Sequence, residues 1–236
     1  MKLVQYDRLH KRDGPDCRAA KKKAQSEAQS RFNQKSSAEK LEFLLAANFR
    51  RGDLVVVLTY ADDKNVNFRE DTMPLLKAFR KKMSQRRKTK CQPFVCVWNI
   101  ESRHEKGRYH HHMVINSTGD DIDDLRAAWP YGNVHIEALR VDKEKNYATQ
   151  ARYMCKEYPD YVGQRTWSHT MNCKKPEMES YAVSDDTVID IPEGAIVLED
   201  VTWSNQYTSF RYVKYIASST LRAPRAKRKH KRRLRN

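Results

Sequence analysis

Apolar and polar positions alternate in a way that divides the chain into a periodic middle and two polar ends. Ser36-Ser37-Ala38-Glu39 reads as a capping signal, and Leu41, Leu44, Leu45 and Phe49 follow it at helical spacing. Arg51-Gly52-Asp53 breaks that helix, and Leu54 to Tyr60 is a buried strand. Asp71-Thr72-Met73-Pro74 opens a second helix, with Leu75, Leu76, Phe79 and Met83 on one face and Lys/Arg on the other. Phe94 to Glu101 is rich in aromatic and β-branched residues and predicts a strand. A short polar link from Ser102 to Arg108 suits a hairpin, and Tyr109 to Asn116 is the partner strand. Asp121 to Trp129 predicts a short helix and Val134 to Leu139 another strand, after which Asp142 caps a helix to about Tyr158.

This order predicts an α+β fold, a ferredoxin-like split βαβ core in which helices pack on one face of a central antiparallel sheet. Residues 1–35 are polar and basic and read as an arm. The main domain covers 36–182, and 183–220 holds further strand-like runs that extend the core or form a small appendage. Residues 221–236 cannot bury a core and read as a disordered basic tail.

Charge adds the partner. The 236 residues hold 46 Lys+Arg against 30 Asp+Glu, a formal net charge of +16. Nine of those bases and no acid lie between Arg222 and Asn236, which leaves +7 on the rest. Such a balance predicts an anionic partner, with nucleic acid first and an acidic membrane surface second. No apolar leader and no membrane-length run occurs, so no membrane partner is expected and the cytoplasm is the expected location. Five cysteines without a CxxC pair predict free thiols rather than disulfides or a Cys-based zinc site. A basic stretch, Lys81, Lys82, Arg86, Arg87, Lys88 and Lys90, together with Arg108, Lys174 and Lys175, is expected to neutralise phosphates. Trp98, Trp129, Trp167, Tyr131 and Tyr161 are available as core residues or as stacking platforms. No GxxxxGK[ST] motif occurs, so opening of a duplex is expected to need a separate helicase.

Two groups of residues carry candidate chemistry. His110-His111-His112 sits within a strand, so His110 and His112 share one face and His111 points to the other. Two imidazoles at that spacing can ligate one divalent cation, and Glu101 on the preceding strand can complete a mixed N/O set suited to Mn²⁺ or Mg²⁺. His104, in the link, competes as the third ligand. On the helix after Asp142, Tyr147, Ala151, Met154 and Tyr158 form the core-facing stripe. Tyr153 lies off that stripe among polar residues, as either a surface tyrosine or a nucleophile, with Lys156 one turn away.

The order and spacing of these residues resembles the HUH endonucleases, and among them the rolling-circle replication initiators of bacteriophages and plasmids. Leu58-Thr59-Tyr60 resembles the first motif, His110-His111-His112 the second and Tyr153-Met154-Cys155-Lys156 the third. Asn48-Phe49, Gly52-Asp53 and Lys174-Lys175-Pro176-Glu177 also look like phage members, so the resemblance covers about 36–180. It implies His110 and His112 as metal ligands, Glu101 as the third, Tyr153 as nucleophile and Lys156 as a charge-stabilising group. The activity it implies is nicking of single-stranded or locally melted origin DNA, with a 5′-phosphotyrosine intermediate and a free 3′-OH, followed by rejoining. A separate helicase and polymerase, and a bacterial or phage-infected cytoplasm, go with that activity. His111 departs from the usual hydrophobic residue and leaves a register in which it contributes to ligation. Tyr158 stands at i+5 on the apolar stripe, so a single-tyrosine enzyme is expected, with Tyr147 as the alternative nucleophile. A single-tyrosine transposase and a non-catalytic nucleic-acid-binding protein are the competing readings.

Overall fold

The computed structural model describes residues 1–6, 27–62, 66–102, 109–143, 146–156, 165–178, 190–204 and 209–217. His104, Arg108, Tyr158, Tyr161, most of the basic arm and the basic tail lie outside the described residues. The chain divides into two compact units, one of residues 23–178 and one that combines 1–22 with 179–236. Among the described residues no helix is long and apolar enough to cross a membrane.

In the larger unit the elements are α1 (Glu27–Asn48), β2 (Leu54–Thr59), α2 (Arg69–Thr89), β3 (Cys96–Ser102), β4 (Tyr109–Ile115), α3 (Ile122–Ala128), β5 (Val134–Ala138), α4 (Ala148–Met154) and β6 (Ser168–His169). The remaining strands, β1 (Lys2–Tyr6), β7 (Ile196–Ser204) and β8 (Ser209–Ile216), belong to the smaller unit. The central sheet runs β5-β2-β4-β3-β6, with every neighbouring pair antiparallel. Its four long strands follow the ferredoxin-like split βαβ order, so the α+β expectation holds.

Both faces of this sheet are covered, which corrects the expectation of helices on one face. On the first face, Val56, Leu58, Cys96, Trp98, Ile100, Met113 and Ile115 pack against Leu76, Phe79 and Met83 of α2 and Leu125 and Ala128 of α3. On the second, Val97 and Val114 pack against Leu41, Leu44 and Leu45 of α1 and Ala151 and Met154 of α4. The alternation of the strands dictates this division, because residues one apart point to opposite faces. Trp98 and Trp129 are buried in the first core, where the Arg80 guanidinium lies 4.0 Å over the Trp98 ring.

Several boundaries differ from the sequence expectation for local reasons. Helix α1 begins at Glu27, so Ser36 and Ser37 lie inside it. Ser37 is used laterally: its hydroxyl lies 2.6 Å from that of Thr166, and Trp167 Nε1 donates to it at 3.0 Å. Helix α2 starts two residues before Asp71, whose carboxylate accepts from the backbone N–H of Phe68 at 2.9 Å. Helix α4 has seven residues, because Asp142 acts from a distance: its carboxylate accepts from the Thr149 N–H at 2.9 Å across a turn. Lys2–Tyr6, within the stretch expected to be an arm, is a strand paired antiparallel to β8.

Arg87 lies 1 % exposed, ion-paired to Asp121 and donating to the Asn116 carbonyl at 2.9 Å. It therefore ties α2 to the loop before α3 and is not available to a phosphate, which corrects its place in the expected basic stretch. Breaking a buried pair leaves an uncompensated charge. Asp121→Ala is expected to destabilise the protein by about 3–5 kcal/mol in urea unfolding.

Candidate metal centre and tyrosine

The site begins with strand register. Glu101 on β3 pairs with His110 on β4, and Asn99 pairs with His112. On the other side of β4, Thr59 pairs with His110 and Val57 with His112. Directly paired residues share a face, so Glu101, His110, His112 and Thr59 all stand on the face covered by α1 and α4.

Glu101, His110 and His112 each offer a ligand atom, and these atoms lie within 4.8 Å of one another. One Glu101 oxygen is 2.7 Å from His112 Nε2 and the other is 3.6 Å from His110 Nε2. The 2.7 Å contact is misaligned for a hydrogen bond, so Glu101 Oε2 and His112 Nε2 both remain buried without a hydrogen-bond partner. Buried polar atoms left in that state cost free energy unless something satisfies them. Two imidazole nitrogens and a carboxylate converging on one point fit a divalent cation, with mixed donors suited to Mn²⁺ or Mg²⁺.

Lys156 completes the electrostatics. Its ammonium is 2.8 Å from Glu101 Oε1 and 4.4 Å from the centre of the Tyr153 ring. Burial pushes the Glu101 carboxyl up, but Lys156 and the two histidines outweigh it and hold the carboxyl below its ordinary value. Burial pushes the His112 imidazole down, which keeps its nitrogens free to ligate.

Tyr153 is 44 % exposed, and its ring meets His112 edge-on at 5.0 Å between centroids. The last turn of α4 places it there, and two side chains fix that turn. Asn99 Nδ2 donates to the Met154 carbonyl at 2.9 Å, and Gln34 Nε2 donates to the carbonyls of Cys155 and Lys156 at 2.8 Å each. The helix end thus has its orphan carbonyls satisfied from β3 and α1. Gln34 lies in the stretch expected to be an arm, where no apolar period signals its role.

His111 points to the opposite face and takes no part in the cluster. Its Nε2 lies 2.6 Å from the Tyr60 hydroxyl, and its ring packs edge-on against Tyr60 and Trp129 at 5.6 Å and 5.7 Å. Burial, with a smaller contribution from His110, pushes its pKa down to about 3, so it behaves as a neutral aromatic core residue. Tyr147 is likewise occupied: it is buried, and its hydroxyl donates to the Phe49 carbonyl at 3.2 Å.

Gly132 supports the end of β2 and carries no motif signal. Thr59 N–H donates to Asn133 at 3.0 Å, Ala61 N–H to Tyr131 at 2.9 Å, and Trp129 Nε1 to the Thr59 carbonyl at 2.9 Å. A Cβ on Gly132 would collide with the Thr59 carbonyl and the Ala61 amide. Gly132→Ala is expected to cost about 1–3 kcal/mol, read as a lower urea midpoint.

The expected phosphate-binding residues are dispersed. Lys81, Lys82 and Lys88 are exposed on α2, which covers the face opposite Glu101. Arg86 and Lys90 are also exposed there but hold Asp124 at 2.9 Å and 2.8 Å. Lys174 and Lys175 are exposed just after Cys173, which packs on the α1/α4 side, and Asn48 brackets the Lys174 backbone. Among the described residues the cysteines are free thiols, as expected.

No curated protein and no solved structure matches the chain. A family model does: residues 53–158 match the family of the replication-associated protein ORF2. The matched segment runs from the residue before β2 to beyond α4, so it holds the four long strands of the sheet and all of Glu101, His110, His112, Tyr153 and Lys156. Residues 53–158 thus form a domain of the replication-associated protein ORF2 family, which gives the chain a role in replication with DNA as its partner.

Proposed function

We propose that this replication protein nicks and rejoins one DNA strand by attack of Tyr153 on a phosphodiester. The observation that carries the reading is the position of Glu101, which faces His110 and His112 on one side and Lys156 beside Tyr153 on the other. A divalent ion held by Glu101, His110 and His112 supplies positive charge at a non-bridging phosphate oxygen.

The side chains account for the remaining steps. Tyr153 is exposed enough to meet a strand, and its ring is steadied by His112. The Lys156 ammonium lowers the cost of negative charge on the phenol oxygen as its proton leaves. The Tyr153 Oη–P bond forms and the P–O3′ bond breaks; the electron pair leaves on O3′, which takes up a proton to become a free 3′-OH. Rejoining is the reverse, with a 3′-OH displacing Tyr153 from phosphorus. Lys174 and Lys175, together with Lys81, Lys82 and Lys88, offer charge to flanking phosphates. A separate polymerase would extend the 3′-OH, and a separate helicase would open the duplex.

The test is a labelled single-stranded oligonucleotide carrying origin sequence, incubated with Mn²⁺. The reading expects a shorter product that a polymerase extends, with its counterpart bound to protein. Two free fragments with no protein-bound one would instead indicate hydrolysis by water.

A further inference from the structure

The smaller unit contains a three-stranded sheet ordered β1-β8-β7, and its two faces differ in chemistry. On one face Val4, Tyr212 and Val201 stand in a row across the three strands, with Trp203 opposite Phe210 in the next row. The row on the other side is Lys2, Lys214 and Glu199. Val4 is 44 %, Val201 48 % and Trp203 51 % exposed, so this apolar and aromatic patch faces solvent. The Lys2 ammonium lies 4.8 Å from the centre of the Tyr212 ring, so a cation already borders the aromatic surface. On the other face Val213 and Tyr215 are fully buried, and Arg211 is paired with Asp200 at 2.9 Å.

We propose that this face binds an unpaired DNA strand as a second contact surface, with bases stacked on Trp203 and neighbouring apolar side chains and phosphates near Lys2. Stacking on exposed aromatics flanked by cations is how proteins hold single strands without reading sequence, because every base has a π-face. Charge favours DNA over an apolar protein partner: the chain continues from β8 into a segment with nine Lys and Arg and no acid from Arg222 to Asn236. The match to a replication family makes DNA the available polyanion. The proposal rests on that partner and not on the Tyr153 chemistry.

The test uses full-length Tyr153→Phe protein, so that no cleavage enters the measurement, in EDTA, with fluorescent dT20. Adding Trp203→Ala is expected to weaken binding about five-fold or more, within the range for loss of one stacked base. Its slope of log affinity against log salt stays unchanged, whereas Lys2→Ala lowers that slope by about one. Photo-crosslinking of 5-iodouracil oligonucleotide to the protein with Trp203 intact is expected to label the peptide that spans Trp203. Unchanged affinity in Trp203→Ala with no label on that peptide would overturn the proposal. So would a fall in sedimentation mass in Trp203→Ala, because the face would then join two copies of the chain.

Discussion

Tyr153→Phe is expected to form no covalent complex with single-stranded DNA while still binding it. The phenylalanine ring keeps the edge-on contact with His112 at 5.0 Å and the place beneath Lys156 at 4.4 Å, so packing around the cluster is retained. The substitution removes only the oxygen that would bond to phosphorus. Loss of a nucleophile from a site that otherwise stands costs about four orders of magnitude or more, since the remaining groups have nothing to activate. Tyr147→Phe makes the contrast. Its hydroxyl is spent on the Phe49 carbonyl, so its loss costs about 1 kcal/mol of stability and leaves adduct formation in place. Denaturing gels of both variants with a 5′- and 3′-labelled oligonucleotide separate the two outcomes. An adduct that persists in Tyr153→Phe would assign the chemistry to another residue.

The second large effect is on metal binding. Glu101→Gln and His112→Ala are each expected to weaken Mn²⁺ binding at least ~100-fold by calorimetry, since loss of an outer-sphere partner alone costs 10–100-fold. Binding to the folded state raises its stability by mass action, about 2.7 kcal/mol at a hundred times Kd. The Mn²⁺-dependent rise in Tm should therefore vanish in both variants, a readout that needs no DNA. His111→Leu should retain both the heat of binding and the Tm rise, because His111 is turned to the Tyr60 side of the sheet. Loss of Mn²⁺ binding in His111→Leu protein that still folds would contradict the ligand set.

The strand alternation made most of this site legible in the sequence. A period of two puts His110 and His112 on one face, and a hairpin read from FVCVWNIE to YHHHMVIN places Glu101 beside them. The order of strands and helices is likewise a local property, which is why the split βαβ topology could be read without contacts. What escaped is long-range. Gln34 reaches the end of α4 across more than a hundred residues, and nothing near it in sequence announces that bond. Arg87 looks like its neighbours in a basic run, yet the helical phase turns it inward to Asp121 while Lys88 stays outside. The second helical layer was missed because α1 begins well before its apolar residues do, and α4 is too short to show a period. Glycine at 132 follows from the close approach of two backbone segments, which only the packed structure reveals.

The account turns on one bond, between Tyr153 and a DNA 5′-phosphate. The most direct measurement is mass spectrometry of peptides from the protein incubated with single-stranded origin oligonucleotide and Mn²⁺, then digested with protease and nuclease. The expected result is a peptide containing Tyr153 that carries the mass of a 5′-phosphonucleotide on the tyrosine. The modification on another residue, or cleaved DNA with every tyrosine unmodified, would contradict it.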